Sequence, residues 1–446
     1  MSISIERYFV ETSREIPKQG LETVVAAWEK IQKHDLHSED IMLAVRSVAS
    51  CFAQRPRDGC PALAFLLNAA SSKPLLPAQS AVYIEAVEGI LVPGADYASQ
   101  FEGNEHLLRW LRGSLQGYVA QVLQQPSKTE AAFETLSFAL RAFAPGQHHL
   151  TPSHSLLLQL VLASRTKIAL ALELLDQTSI TEIDPRATGV VFSDFLAYYY
   201  YAGILYASVQ RWDDAKFSFE SSLTVRNYGG NAIMMAAYKA YVFVSLIADG
   251  VVRPLLNGHV EKFARTLCKE YFDVQDAFEK KNFVELNSVM ENHSKVFEVD
   301  QLAPLARVCH ASLLRHSIRS LTKVYVSCPL SSIAVEMGTT EDVVHGVLKE
   351  MISTGEVSAQ VSSESPVTVT FFDPQTVSHR MLDESIAKCA AAENAIEESH
   401  VDVLSSVQYS SHHLRNHPKF TEIMAEFAER KQNGQPVLSK LSSFLH

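Results

Sequence analysis

Glycine is scarce in this chain, at 18 of 446 residues, below the ~7% of ordinary proteins. Few glycines mean few tight turns and few loops able to cradle phosphate. None of the patterns GxxxxGK[ST], GxGxxG or GxSxG occurs. Cations are short as well: 39 Lys and Arg stand against 50 Asp and Glu, a formal charge of −11. A phosphate backbone as principal partner needs clustered cations, so no nucleic-acid partner is expected. Uninterrupted apolar runs last only a few residues, against about 20 for a membrane span, so no membrane partner is expected either. The opening MSISIERYFVE lacks the charged-then-apolar layout of a signal peptide. The six cysteines, Cys51, Cys60, Cys268, Cys309, Cys328 and Cys389, form no CxxC, and read as buried thiols of a reducing compartment. Among 17 histidines there is no HExxH and no H-x-H, which removes two familiar zinc-hydrolase signatures. His148, His149 and His154 precede a helix, but no spacing ties them to Cys51 or Cys60. No catalytic residue, cofactor or metal ligand is expected.

What is present is helix. Up to about residue 300, apolar residues recur at three and four, which predicts amphipathic helices over Leu21–His34, Glu39–Ala53, Ala62–Ala70, Ala78–Leu91, Glu105–Leu123, Lys128–Phe143, Pro152–Ala163 and Lys167–Leu175. Thr151–Pro152 reads as a helix start, and Pro56, Pro61, Pro74, Pro77 and Pro93 as loop punctuation. Almost nothing alternates with period two, so a large sheet is excluded. A series of short helices with little else suggests a solenoid of paired helices.

The segment FLAYYYYAGILYASVQRWDDAKFSFESSL, from Phe195, carries one repeat unit. Tyr199, Gly203, Tyr206, Ala215 and Phe219 fall at tetratricopeptide spacing, with Gly203 and Ala215 small because two helices meet there. Trp212-Asp213-Asp214 is expected to make the turn, an aspartate capping the second helix. Met234–Ala248 would open a degenerate next unit, at a spacing of about 42 rather than 34 residues. Four successive tyrosines, Tyr198 to Tyr201, point around most of a helix's circumference. That suits a helix with neighbours on several sides better than a catalytic cluster.

Beyond Asp300 the texture changes. A helix over Leu302–Leu321 leads to a β-like run at 323–326, a short helix over 329–338, and a third helix, Glu341–Ser353, capped by Thr340. Two strands, Val357–Val361 and Val367–Phe372, follow, joined by a loop over Ser362–Pro366. The order is that of a winged helix, with the corner at Gly338-Thr339-Thr340. Its third helix offers Lys349 against Glu341, Asp342 and Glu350, the wrong balance for a major groove. A protein-contact module is the better reading. The expected contact residues on the wing are Tyr325, Val357, Ala359, Val361, Val367, Val369 and Phe371, where edge strands leave backbone groups unpaired. A long helix from Ser378 to Gln408 carries Leu382, Ile386, Cys389, Ile396, Val403 and Val407 in near-heptad rhythm, interrupted by Glu393 and His400. It either folds back on its own chain or enters a multi-chain bundle.

These features resemble the PCI-domain family of proteasome-lid, COP9 signalosome and initiation-factor subunits. The stretch from Ala277-Phe278 through Asn282-Phe283, Leu286, His293, Phe297 and Asp300 is similar to the family's last repeat. Met351-Ile352, Gly355-Glu356-Val357, Ala359 and Val361 resemble its passage from third helix to wing, and the tyrosine quartet points to the signalosome branch. The resemblance implies a mainly α fold: N-terminal helical repeats over 1–190, TPR-like repeats over 191–300, a winged helix over 301–375, a bundle helix over 376–408 and a tail over 409–446. It further implies a non-catalytic scaffold in the nucleus and cytoplasm, bound to other signalosome PCI subunits through wing edge and C-terminal bundle. In that complex a different subunit's zinc isopeptidase removes Nedd8 from cullins. A proteasome-lid subunit, or a winged-helix subunit of an mRNA-export or transcription complex, is the alternative.

Overall fold

The computed structural model describes residues 5–19, 24, 28, 37–51, 56–91, 101, 104–146, 148–178, 180–225, 231–255, 258–362, 367–372 and 379–405. The chain is mainly α. The N-terminal helices are α1 (Ile5–Gln19), α2 (Ser38–Cys51), α3 (Pro56–Ser71), α4 (Pro77–Ile90), α5 (Glu105–Val122), α6 (Thr129–Ala142), α7 (Pro152–Ser164), α8 (Ile168–Gln177) and a single turn, α9 (Pro185–Thr188). Then come α10 (Phe192–Ser208), α11 (Trp212–Thr224), α12 (Ala232–Ala248), α13 (Gly258–Leu267), α14 (Lys269–Glu279), α15 (Phe283–Asn292), α16 (Ser294–Val299) and the long α17 (Ala303–Thr322). The winged helix is β1 (Ser327–Pro329), α18 (Leu330–Glu336), α19 (Glu341–Ser353), β2 (Ala359–Val361) and β3 (Thr368–Phe371), and α20 (His379–Ser405) follows.

Most predicted helices lie within a few residues of these bounds. The expected helix at 21–34 lies outside the described residues except for Val24 and Trp28, which are buried. The expected loop signals at Pro56 and Pro61 are corrected: both belong to α3. Pro56 sits at its first position, where a missing N–H costs nothing. The β-like run at 323–326 is also corrected. The strand lies at Ser327–Pro329, and Val324, Tyr325 and Val326 are exposed. Neither Asp213 nor Asp214 caps the second repeat helix. Both lie in the first turn of α11, where the helix dipole favours them.

Two apolar cores fill the repeats. The first takes side chains from Phe9 through Leu205, among them Trp28, Phe65, Trp110, Tyr118 and Leu157. The second runs from Leu196 to Leu313 and is rich in α12, with Phe243 meeting Tyr271 and Phe297 edge-on. Close approach in the first core depends on α5. A Cβ at Gly113 would stand 1.8 Å from Asn68 Oδ1, and one at Gly117 2.3 Å from the Tyr83 hydroxyl. That hydroxyl donates to the carbonyl oxygens of Leu67, at 3.1 Å, and Ser114, at 2.9 Å, so three helices are tied where the two glycines admit them. The second core crosses residue 300 without a break, because Leu302, Ala306, Cys309 and Leu313 of the α16–α17 region belong to it.

The described chain divides into two compact units. One runs through Thr354 and includes Val361–Val369. The other holds Gly355–Gln360 and the chain from Thr370 onward. The strand order is β1-β3-β2. Leu330 N–H donates to Val367 O at 2.8 Å, and Ser362 N–H to Thr368 O at 2.9 Å. At the helix-turn-helix corner Gly338 has φ +61°, a left-handed conformation that glycine adopts without a Cβ penalty.

Candidate functional site

The tyrosine quartet is explained by α10 serving both cores. Tyr198 is 4% exposed and belongs to the first core, with Tyr199 and Tyr201 packed on its margin. Leu196 and Ala207 belong to the second core, and Tyr200 packs against that one. Burial raises the pKa of all four phenols. A phenol held protonated is a poor base and a poor nucleophile. The neighbouring Tyr206 is also shifted upward, to about 12, by burial first and by Asp176 second.

The other residues singled out for repeat packing surround α10 and α11. Ala215 and Phe219 are fully buried. A Cβ at Gly203 would lie 2.6 Å from Cε1 of Phe219. Arg211, at the turn, donates from Nη1 to both carboxylate oxygens of Asp176 at 2.9 and 2.8 Å, reaches Asp214 through Nε at 2.7 Å, and lies over the Tyr206 ring. Sequence reasoning missed two partly buried charge contacts. Arg112 of α5 grips Asp194 of α10 at 2.6 and 2.7 Å, both side chains largely buried. Lys239 of α12 grips Asp300 at 2.8 and 2.7 Å, and Asp300 also accepts from the Tyr271 hydroxyl at 2.7 Å. Only the charge of Asp194 and Lys239 inside otherwise apolar helices could have signalled them.

His154 is a buried capping residue. It is 1% exposed. Its Nδ1 accepts the Thr151 N–H at 3.1 Å and lies 2.9 Å from Thr151 Oγ1. Among the described residues the Nε2 has no N or O partner. The accepting Nδ1 assigns the proton to Nε2, and the ring meets Tyr198 edge-on with centroids 5.7 Å apart. Burial pushes its pKa down to about 4. His149 sits elsewhere, 2.9 Å from Glu182. Among the described residues no three His, Cys, Asp or Glu side chains gather into a metal-sized cluster. The sequence does contain one i,i+4 histidine pair, His413 and His417, with Leu414 where a zincin has Glu; it lies outside the described residues. The six cysteines form no disulfide. Four are buried as expected, whereas Cys51 and Cys389 are exposed, contrary to expectation. Burial raises Cys268 to about 11 and Cys309 further, which suppresses the thiolate.

On the winged helix the predicted contact residues separate into two groups. Tyr325 is exposed, and Ala359, Val361 and Val367 are half-buried. Val357, Val369 and Phe371 are buried, so their side chains are not on offer to a partner. Val369 and Phe371 lie on the buried face of β3, whose burial alternates along the strand, and β3 is central, so among the described strands the outer edges belong to β1 and β2. On α20, Ile386 is 58% and Ile396 69% exposed, and Cys389, Glu393 and His400 are exposed too. The side chains of Leu382 and Val403 lie outside the described residues. No described helix is long and apolar enough to cross a membrane.

Known proteins match these same segments. The family described as COP9 signalosome complex subunit 3, N-terminal helical repeats, matches residues 112–259. The PCI domain matches residues 289–371. Two relatives carry the name COP9 signalosome complex subunit 3. The one from Drosophila melanogaster is 28% identical over 185 residues, 41% of this chain and 41% of its own. The one from Dictyostelium discoideum is 26% identical over 269 residues, 58% of this chain and 63% of its own. The matched part thus spans less than two thirds of either relative. The repeats built around α10 thus match those of COP9 signalosome subunit 3, and the segment that ends in the winged helix after α17 matches the PCI domain.

Proposed function

We propose that this protein is a non-catalytic scaffold subunit of the COP9 signalosome, the assembly whose zinc isopeptidase, on another subunit, removes Nedd8 from cullins. The observation that carries the reading is a subunit-3-type repeat match at 112–259 followed in the same chain by a PCI match at 289–371, with the second core running from the repeats into α17. Its chemistry agrees with a packing role, since the buried tyrosines and thiols are held protonated. Other PCI subunits of the complex are the partners. They engage the open edges of β1 and β2 beside exposed Val324, Tyr325 and Val326. Helices from those subunits cover the apolar positions Ile386 and Ile396 of α20, which are too exposed for an unpartnered stripe. The protein works in the nucleus and cytoplasm.

Affinity purification of the tagged full-length chain with mass spectrometry tests this. Signalosome subunits are the expected co-purifying proteins. Proteasome-lid subunits or mRNA-export factors in their place would overturn the proposal. Depleting the protein should raise the Nedd8-modified fraction of cullins, while the purified chain alone should cleave no Nedd8–cullin conjugate.

A further inference from the structure

The helix α20 carries an apolar stripe in the open. Every side chain described from 385 to 400 is exposed, yet the near-heptad stripe there holds Ile386, Cys389 and Ile396. The charge of α20 limits what can cover it. Arg380 and Lys388 stand against six Asp and Glu, with Glu393 in the stripe itself and Asp383 and Glu397 beside it. A second copy of α20 would set these acids against their like. Ala392 and Ser399 lie one turn before and one turn after Ile396, which leaves room for a large ring at that level. Residues 406–446 lie outside the described residues, and their sequence supplies a match. Phe420, Ile423 and Phe427 recur at three and four, the spacing that predicts an amphipathic helix, and Arg430 continues the interval. Over 409–446 five Lys and Arg stand against three Glu, the opposite balance to α20. In opposite chain directions the two stripes have one spacing: Val403, His400, Ile396 and Glu393 on α20, then Phe420, Ile423, Phe427 and Arg430 beyond it.

We infer that in the unassembled chain the segment 420–431 folds back antiparallel along the C-terminal half of α20. The register sets Phe427 at the level of Ile396, between Ala392 and Ser399, and Arg430 at the level of Glu393. The acid that interrupts one stripe thus meets the cation that continues the other. Sliding by one heptad would set Arg430 at Ile386 and lose that pairing, so the charges fix the register. The connecting residues 404–419 reach about 55 Å when extended, and α20 is about 40 Å long, so the chain is long enough to turn. Ile386 and Cys389 stay open. A helix from another chain finds that end of the stripe uncovered and displaces the segment from Ile396. The contact lies within one chain, and its test does not depend on membership of the signalosome.

The experiment uses the full-length chain. Hydrogen exchange with mass spectrometry reads the protection of the α20 amides from 390 to 403. Phe427→Asp should speed their exchange about tenfold or more, as for a helix that loses the packing that holds it. Ser442→Asp, outside the register, should leave the exchange unchanged. Neither apolar core contains a described residue of α20, so the thermal melts of the variants should match that of the unaltered chain. The register is tested by cysteine pairs in a chain carrying Cys51→Ser and Cys389→Ser. Glu393→Cys with Arg430→Cys should form an intramolecular disulfide on mild oxidation, and Glu393→Cys with Ser442→Cys should not. The inference is overturned by unchanged exchange in Phe427→Asp, by failure of the first pair to link, or by equal linking of both pairs. A linked dimer in place of the linked monomer also overturns it, and would seat a second copy on the stripe.

Discussion

At the scale of single residues, Gly203 and His154 show how much one side chain decides. A Cβ at Gly203 meets the Phe219 ring at 2.6 to 2.8 Å, and that ring is wholly buried, with nowhere to retreat. Gly203→Ala gains about 1 kcal/mol of helix propensity, yet the clash forces repacking that costs about 1–3 kcal/mol, and Gly203→Leu costs more. Chemical denaturation should rank the stabilities unaltered chain, Ala, Leu, and a variant that melts at or above the unaltered chain refutes the packing. His154 sets a pH dependence. The folded chain keeps it neutral down to about pH 4, whereas an unfolded histidine takes up its proton near 6.5. Below 6.5 the unfolded state therefore binds the extra proton, and stability falls with pH by about 1.4 kcal/mol per unit until near pH 4. His154→Gln keeps an acceptor for the Thr151 N–H, as in a capping box, but does not titrate. Its stability should drop less than that of the unaltered chain between pH 7 and pH 4.5. Parallel pH curves for the two proteins would mean that the ring is not buried neutral.

Elements are positioned by contacts the sequence reveals unevenly. The helices were legible because their apolar faces repeat at three and four, and the winged helix because its strands are short and β-branched. Three features were not. Pro56 and Pro61 read as loop residues because a proline lacks a donor, yet one begins α3 and the other lies in its second turn. Nothing in the sequence shows that Asn68 and Tyr83 stand against Gly113 and Gly117 of α5. The strand order β1-β3-β2 depends on pairing that no local pattern carries: the run Val367–Phe372 reads as an edge strand, yet β3 is central and Val369 and Phe371 are buried. The Arg112–Asp194 pair, which fastens α5 to α10 across 82 positions of sequence, was equally invisible. Removing one partner strands the other charge in a mostly buried place, so Arg112→Leu and Asp194→Leu should each cost about 3–5 kcal/mol. The double variant strands neither and should cost clearly less than their sum. Additive losses in a double-mutant cycle would mean that the two side chains do not act as a pair.

On the scale of the whole molecule, the question is which surfaces make it part of something larger. The open edges of β1 and β2 belong to a small sheet, and such edges recruit further strands or loops. The helix α20 is different: every side chain described on it between Asp383 and His400 is exposed. An isolated helix with apolar groups at Ile386, Cys389 and Ile396 gains little from its own hydrogen bonds in water, so burial against other chains is what would stabilise it. Ending the chain at Asp373 removes α20 and leaves every strand and both cores intact. The shortened protein should keep its cooperative melt and lose only the α-helical circular dichroism of the deleted segment. In co-purification it should retain the subunits that meet the winged-helix edge and lose those that share a helical bundle. Retention of every partner would show that α20 takes no part in assembly. Loss of the cooperative melt would show that α20 stabilises its own chain, which is the fold-back alternative, and the exposed stripe would then need another explanation.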